Sequence, residues 1–467
     1  MGTFTGRRFG RRRFLHGASM LTAGTLLPGH RIVHGASHTP DTRQRLSTFV
    51  CDITVPLGTP IYSSYEPLDT IEHPLLAKGV VIEQGDTRYV LCAVDWCYLC
   101  NSTYDAFRHA VADAADTDVA HVAVQNVHQH TAPMGDADVW PFLRELESPP
   151  PFPSPEVFTS AAATVGEAVR QSVANLTPFD AIGTSQARVD RVASNRRIPV
   201  GEGRVGFRAS ACRDEEMRAM PEGLIDPMLQ TITFAQGERP LARLHYYATH
   251  PQSFYGDPRA SYDFPGMARE RLEQEEGVFQ VYFTGCAGDV AAGKYNDGTP
   301  EARQGLYERL YAAMKASSAA TRFGPAQAIE WTTAEFPLTT REDEGYTEAD
   351  LRARMDNAGQ RASTRSGAAM GLAYRARVAQ PVEVSAMHVG NVHIVHLPGE
   401  PMIEFQLFAK QLRQDGFVAV AGFGDCAMGY ICPARAYDEG GYEPTASKLR
   451  PESEGPFRDA IRELLRV

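Results

Sequence analysis

HVAVQNVHQHTAP, residues His121 to Pro133, starts as an alternating apolar run of the kind that forms a buried strand. It stops at two histidines spaced i, i+2, with a polar loop behind them. On an extended backbone that spacing puts both imidazoles on one face. A strand end carrying His128 and His130 suits a metal with a proton-transfer group beside it; two ordinary hydrogen-bonded histidines are the alternative. The rest of the chain bears on the choice.

With 467 residues, 43% of them hydrophobic and 22% charged, the chain has the composition of a globular protein rather than a disordered segment or a coiled coil. A net charge of -11 argues against a phosphate-tracking groove, so no nucleic-acid partner is expected. Positive charge clusters at Arg7, Arg8, Arg11, Arg12 and Arg13, followed by Phe14, Leu15 and a mildly apolar run to Leu27. This order is that of a twin-arginine export signal over residues 1–36, with cleavage near Gly35 or Ala36 and a periplasmic or extracellular destination. A basic N-terminal arm is the alternative. The apolar run is too short and glycine-broken for a stable membrane span, and no transmembrane span is expected in the mature chain. Eight cysteines are too sparse for a disulfide scaffold, and Cys97 and Cys100, in LCAVDWCYLC, read as buried structural residues.

Working outward, Lys78 to Asp95 reads as a hairpin turning at Gly85-Asp86, followed by a helix from Ser102 to Ala115 that leads into the His121 strand. A helix from Ser154-Pro155 to Val173 follows the proline-rich ESPPPFPSP. LQTITFAQ and LARLHYYATHP form a second hairpin around Gly237, ending at His250. Then come a helix over Phe264 to Glu275, the strand VFQVYF and the glycine-broken loop TGCAGD. Glu301 to Ala379 reads as a charged, mostly helical outer layer. VEVSAMHVGNVHIVHLPGEP is a third hairpin turning at Gly390-Asn391 and leading to Glu400. A helix near Met402 to Leu412, the strand FVAVAGF and the loop presenting Tyr430 follow. No internal repeat or dividing linker is evident. The pattern predicts one α/β domain, a mixed sheet or paired sheets flanked by helices, with a metal site at strand ends. His128, His250 and Glu400 would meet if their strands share one sheet edge, and a Tyr430 phenolate could be a fourth ligand.

In order, CDITVPLGTPI, EHPLLAKGVVIEQGDTRYVLCAVD, VHQHTAP, NRR, DPMLQTITF, ATHP, YDFPG, TGCAGDV, LPGEP and GYICP resemble the neutral/alkaline, non-lysosomal ceramidase family. The match spans Val50 to Ser447. The resemblance implies a zinc-dependent amidohydrolase over residues 37–467. Its action would be on an N-acyl bond, as ceramidases release fatty acid from sphingosine, on a lipid amide or a smaller N-acyl compound. By position it implies His128, His250, Glu400 and Tyr430 as zinc ligands, His130 as the proton-handling histidine and Arg196 as a substrate contact. A zinc-activated water would attack the amide. Asp289 would orient a histidine or the water, or simply cap its loop. Hydrolysis of another bond, such as an ester, and an inactive metal-containing binding protein are the alternatives. Two departures stand out. Ala291 occupies the place of a serine thought to act in ceramidase catalysis, and the chain stops at Val467, without the C-terminal immunoglobulin-like domain of full ceramidases.

Overall fold

Three hairpins set the architecture, each closed by a two-residue turn whose first residue is a glycine with positive φ: Gly85, Gly237 and Gly390. Glycine takes this conformation without the Cβ penalty, and such turns match the twist of paired strands. The computed structural model describes residues 43–467, without 63 and 255, so the export signal read over 1–36 lies outside the described residues.

Each hairpin nucleates one sheet. The first runs, in spatial order, Val122–Asn126, Thr87–Val94, Leu76–Gln84, Gln44–Asp52 and Thr177–Phe179. The second runs Phe279–Thr284, Arg239–Tyr247, Met228–Gln236, Ala181–Arg188 and Arg322–Pro325. The third runs Ile329–Phe336, Val382–Val389, Val392–His396 and Phe417–Ala421.

The same unit therefore recurs three times. A strand pairs antiparallel with the hairpin's first strand, and a helix after the hairpin carries the chain to a strand parallel to its second. The helices are Asn101–Ala115, Asp263–Glu276 and Ile403–Leu412. The expectation of no internal repeat is corrected here: the repetition lies in topology, which different apolar residues satisfy equally well.

All three sheets feed one core, where Val80, Ile82 and Leu91 of the first meet Leu229, Ile232 and Phe234 of the second and Met387 and Ile394 of the third. The opposite face of the first sheet packs Val81, Val90 and Val124 with Phe107 and Val165, which lie on helices Asn101–Ala115 and Pro155–Val173. The result is the expected mixed α/β domain with helices flanking mixed sheets. One region differs: within the stretch read as mostly helical, Ile329–Phe336 is a strand at the edge of the third sheet. Its Glu335 is exposed between the buried Ala334 and Phe336, which is strand alternation rather than helical spacing. All eight cysteines are free thiols, seven of them buried.

Candidate metal centre

His128 follows the last strand of the first sheet but does not continue it. Its φ of 74° lies in the left-handed region, so the i, i+2 spacing does not work through an extended backbone as expected. The residue is held there by its N–H to the Trp96 carbonyl at 3.0 Å and by stacking on Phe423, with ring centroids 4.4 Å apart. This is the kind of strained position that occurs at functional sites when its surroundings fix it. The histidine rings still meet, with His130 Nε2 3.3 Å from His128 Nε2.

His250 ends the loop after the second sheet's hairpin. Its N–H reaches the Val290 carbonyl at 2.9 Å, and its Nδ1 donates to the Ala287 carbonyl at 2.7 Å. Glu400 lies beyond the third sheet's hairpin, where Glu400–Pro401 pairs in parallel with Tyr430–Ile431. Gly288 of the TGCAGD loop packs so closely that an added Cβ would lie 2.4 Å from the Glu400 carbonyl oxygen. The loop's glycine is therefore required by a close backbone approach.

The three residues follow strands of three different sheets, so the expectation that they share one sheet edge is corrected. Convergence of the three repeated units brings them together. Glu400 Oε2 lies 3.2 Å from His250 Nε2 and 3.4 Å from His128 Nε2, and the three side chains are at most 1% exposed. His128 Nδ1 donates to the Cys97 carbonyl at 2.8 Å, as His250 Nδ1 does to Ala287. Both imidazoles therefore turn an Nε2 lone pair toward the carboxylate, and among the described residues no protein donor satisfies His250 Nε2 or Glu400 Oε2. Two imidazole nitrogens and one carboxylate oxygen converging in a buried space could hold a divalent metal.

Electrostatics keeps these side chains in ligating forms. Burial, with Arg196 nearby, pushes His250 down to about 4, which leaves it neutral. Glu400 lies well below the ordinary carboxylate range despite its burial, so the carboxyl is ionised. His130 is lowered by burial and then by His128 and His250, and its ring packs edge-on to Tyr62. Cys97, His128 and His130 form a second close group, but Cys97 Sγ lies on the Nδ1 side of His128 and burial raises its thiol.

The remaining expected residues have distinct surroundings. The Tyr430 hydroxyl accepts from Arg196 at 3.1 Å, and burial raises its phenol despite that guanidinium. Arg196 is 3% exposed and is tied also to the Gly288 carbonyl and to Glu443. Asp289 spends both oxygens away from the histidines, one on the Ile403 N–H that opens a helix and one on the Asn195 amide, at 2.8 and 2.7 Å. Ala291 is fully buried and pairs with Ser194.

Sequence reasoning missed three contributors. Tyr98 donates to Glu400 Oε1 at 2.7 Å; Phe423 stacks on His128; Asp95 accepts from Gln129, the residue between the two histidines, at 2.9 Å. Tyr98 sits in an apolar run that reads as plain core, and only its hydroxyl hinted at a partner. A cavity of about 740 Å³ opens onto this centre, with Tyr62, Tyr98, Glu400 and Tyr430 in its wall.

The arrangement has a ceramidase-like fold. The chain is similar to neutral ceramidase from Pseudomonas aeruginosa, with a TM-score of 0.63, 14% identity, and coverage of 91% of this chain and 75% of the other. It is similar to a ceramidase complexed with C2 at a TM-score of 0.63 and 13% identity, covering 91% and 76%. At such identity the likeness establishes the fold. No known family profile and no curated protein matches the chain. No helix among the described residues is long and apolar enough to cross a membrane.

Proposed function

We propose that the protein is an exported, zinc-dependent hydrolase that cleaves an N-acyl amide. The observation that carries this reading is the convergence of the buried His128 Nε2, His250 Nε2 and Glu400 Oε2, with Glu400 in the wall of a cavity. Two imidazoles and a carboxylate are a common catalytic zinc set with a position left open, and a bound zinc supplies Lewis acidity toward a carbonyl and a water acidic enough to react near neutrality.

The chain's own residues supply the rest. Tyr98 and the carbonyls of Cys97 and Ala287 fix the three ligand side chains from behind. Tyr430, alongside Glu400 by strand pairing, is a neutral phenol that can serve as a further ligand or hydrogen-bond the substrate carbonyl. Arg196 positions that phenol. His130 carries the proton that water loses to the departing nitrogen, its neutral imidazole having a lone pair to accept it. In balance, water adds its oxygen to the carbonyl carbon, the C–N bond breaks, and the nitrogen takes the proton, giving an acid and an amine. With Ala291 at its position no hydroxyl is available there as a nucleophile, so water is the attacking group.

The export assignment rests on the arginine-rich start of the chain and its apolar run. The test is a panel of N-acyl amides and matched esters incubated with zinc-loaded protein, following acid and amine release together. Amide cleavage lost in His130→Ala supports the reading; an untouched panel with stoichiometric zinc turns it toward a binding protein.

A further inference from the structure

The cavity that opens on Glu400 extends to the helices Glu348–Asp356 and Ala362–Arg377, and its wall there is cationic: Arg341, Arg354, Arg361, Arg375 and Lys448. Glu400 is the sole carboxylate among its described lining residues. In a chain of net charge -11 this is a local reversal of sign.

Two of the five cations are already compensated, Arg341 by Asp343 and Arg375 by Glu342 at 2.6 Å. The other three have no carboxylate within ion-pair distance among the described residues. The Nη2 of Arg354 is buried without a hydrogen-bond partner. The nearby acid on its helix, Asp350, is occupied by Thr347 and Gly345 in a capping box. Arg361 opens the second helix, whose first turn holds no acidic residue. Lys448 donates to the Ala427 carbonyl at 2.6 Å and lies 5.8 Å from the Tyr374 ring centroid. An unpaired buried guanidinium nitrogen is costly unless a ligand satisfies it.

The rest of the wall is not that of a lipid tunnel. Seven tyrosines dominate it, Tyr62, Tyr65 and Tyr98 among them, and Leu351 and Met370 are the only large apolar non-aromatic side chains among its described lining residues. Flat rings with hydroxyl edges suit a polar, hydroxylated ligand better than two alkyl chains.

We propose that the substrate is an anionic, polar N-acyl compound whose acid group is held by Arg354, Arg361 and Lys448 while its amide lies at Glu400. This deepens the hydrolase reading and rests on it for the position of the scissile bond. The anion contacts themselves need no metal.

Calorimetric titration of the metal-loaded and the chelator-treated protein tests it with three related probes: N-acetylglucosamine, its 6-phosphate, and N-acetylmuramic acid, which adds a carboxylate. At least one charged probe is expected to bind about tenfold or more tighter than the neutral sugar, a difference of about 1.4 kcal/mol. The preferred arm distinguishes phosphate from carboxylate. The double substitution Arg354→Gln, Arg361→Gln, which removes no ion pair and should leave the thermal midpoint unchanged, is expected to abolish the preference. Equal binding of all three, binding of none, or a preference that survives in the double variant overturns the proposal. Loss of hydrolysis with charge preference intact would instead fault the hydrolase reading alone.

Discussion

Asp95 accepts the side-chain amide of Gln129 at 2.9 Å, and so braces the single residue that separates His128 from His130. The same carboxylate takes a two-pronged contact from Arg269, at 3.0 and 2.9 Å, with both side chains at most 1% exposed. The histidine loop is thus anchored to the helix Asp263–Glu276 of the second repeat through a buried ion pair. Removing one member of such a pair strands a charge. Arg269→Met is expected to cost about 3–5 kcal/mol in urea denaturation. The double change Asp95→Asn, Arg269→Met should recover much of that loss, and equal destabilisation of single and double variants would contradict the ion-pair account.

Tyr98 touches the centre twice, its hydroxyl on Glu400 and its ring edge-on to His128 with centroids 5.0 Å apart, and only the first contact needs the hydroxyl. Tyr98→Phe should lower zinc affinity by about 10–100-fold in a chelator competition while leaving the fold intact, because the ligand loses the hydrogen bond that fixes its rotamer. An unchanged affinity would show that Glu400 needs no such support.

His130 is expected to separate metal binding from catalysis. His130→Ala should keep its zinc and lose about 10²–10⁴-fold in kcat on a cleaved N-acyl substrate. Loss of zinc in this variant would instead make His130 a ligand.

Asp136 gives a pH signature away from the centre. Burial raises its carboxyl to about 7, against the opposing effect of Asn101, with Asp138, Asp425 and Lys448 as its charged neighbours. Between the unfolded value near 4 and that folded value, the native state holds a proton that the unfolded chain releases. This stabilising contribution is therefore complete below about 4 and lost as pH rises through about 7. Relative to Asp136→Asn, the unchanged protein should lose stability from pH 5 to 7 by at most about 1.4 kcal/mol per pH unit. Parallel pH profiles would remove Asp136 from the account.

Much of the fold was legible because its signals are local. The three glycine turns, the alternation beside them and the helix after each hairpin are written within short windows, and the structure has them where they were expected. The strand Ile329–Phe336 was hidden by its charged outward residues, and the threefold recurrence by the absence of any shared motif. For the centre, His128, His250 and Glu400 could be chosen as strand-end residues, but the reason given for their meeting was incomplete. They converge from three sheets, and the left-handed turn at His128 leaves no trace in residue type. The supporting Tyr98, Phe423 and Asp95 read as core or loop until the chain is folded, since their partners lie far away in sequence.

The central claim is that these three residues hold a divalent ion. The most direct test is elemental analysis of purified protein after exhaustive dialysis, beside His250→Ala shown by circular dichroism to remain folded. The expected result is a stoichiometric divalent ion, zinc, in the parent and its loss from the variant. A metal-free parent that binds no added zinc, or a variant that keeps the full complement, would contradict it.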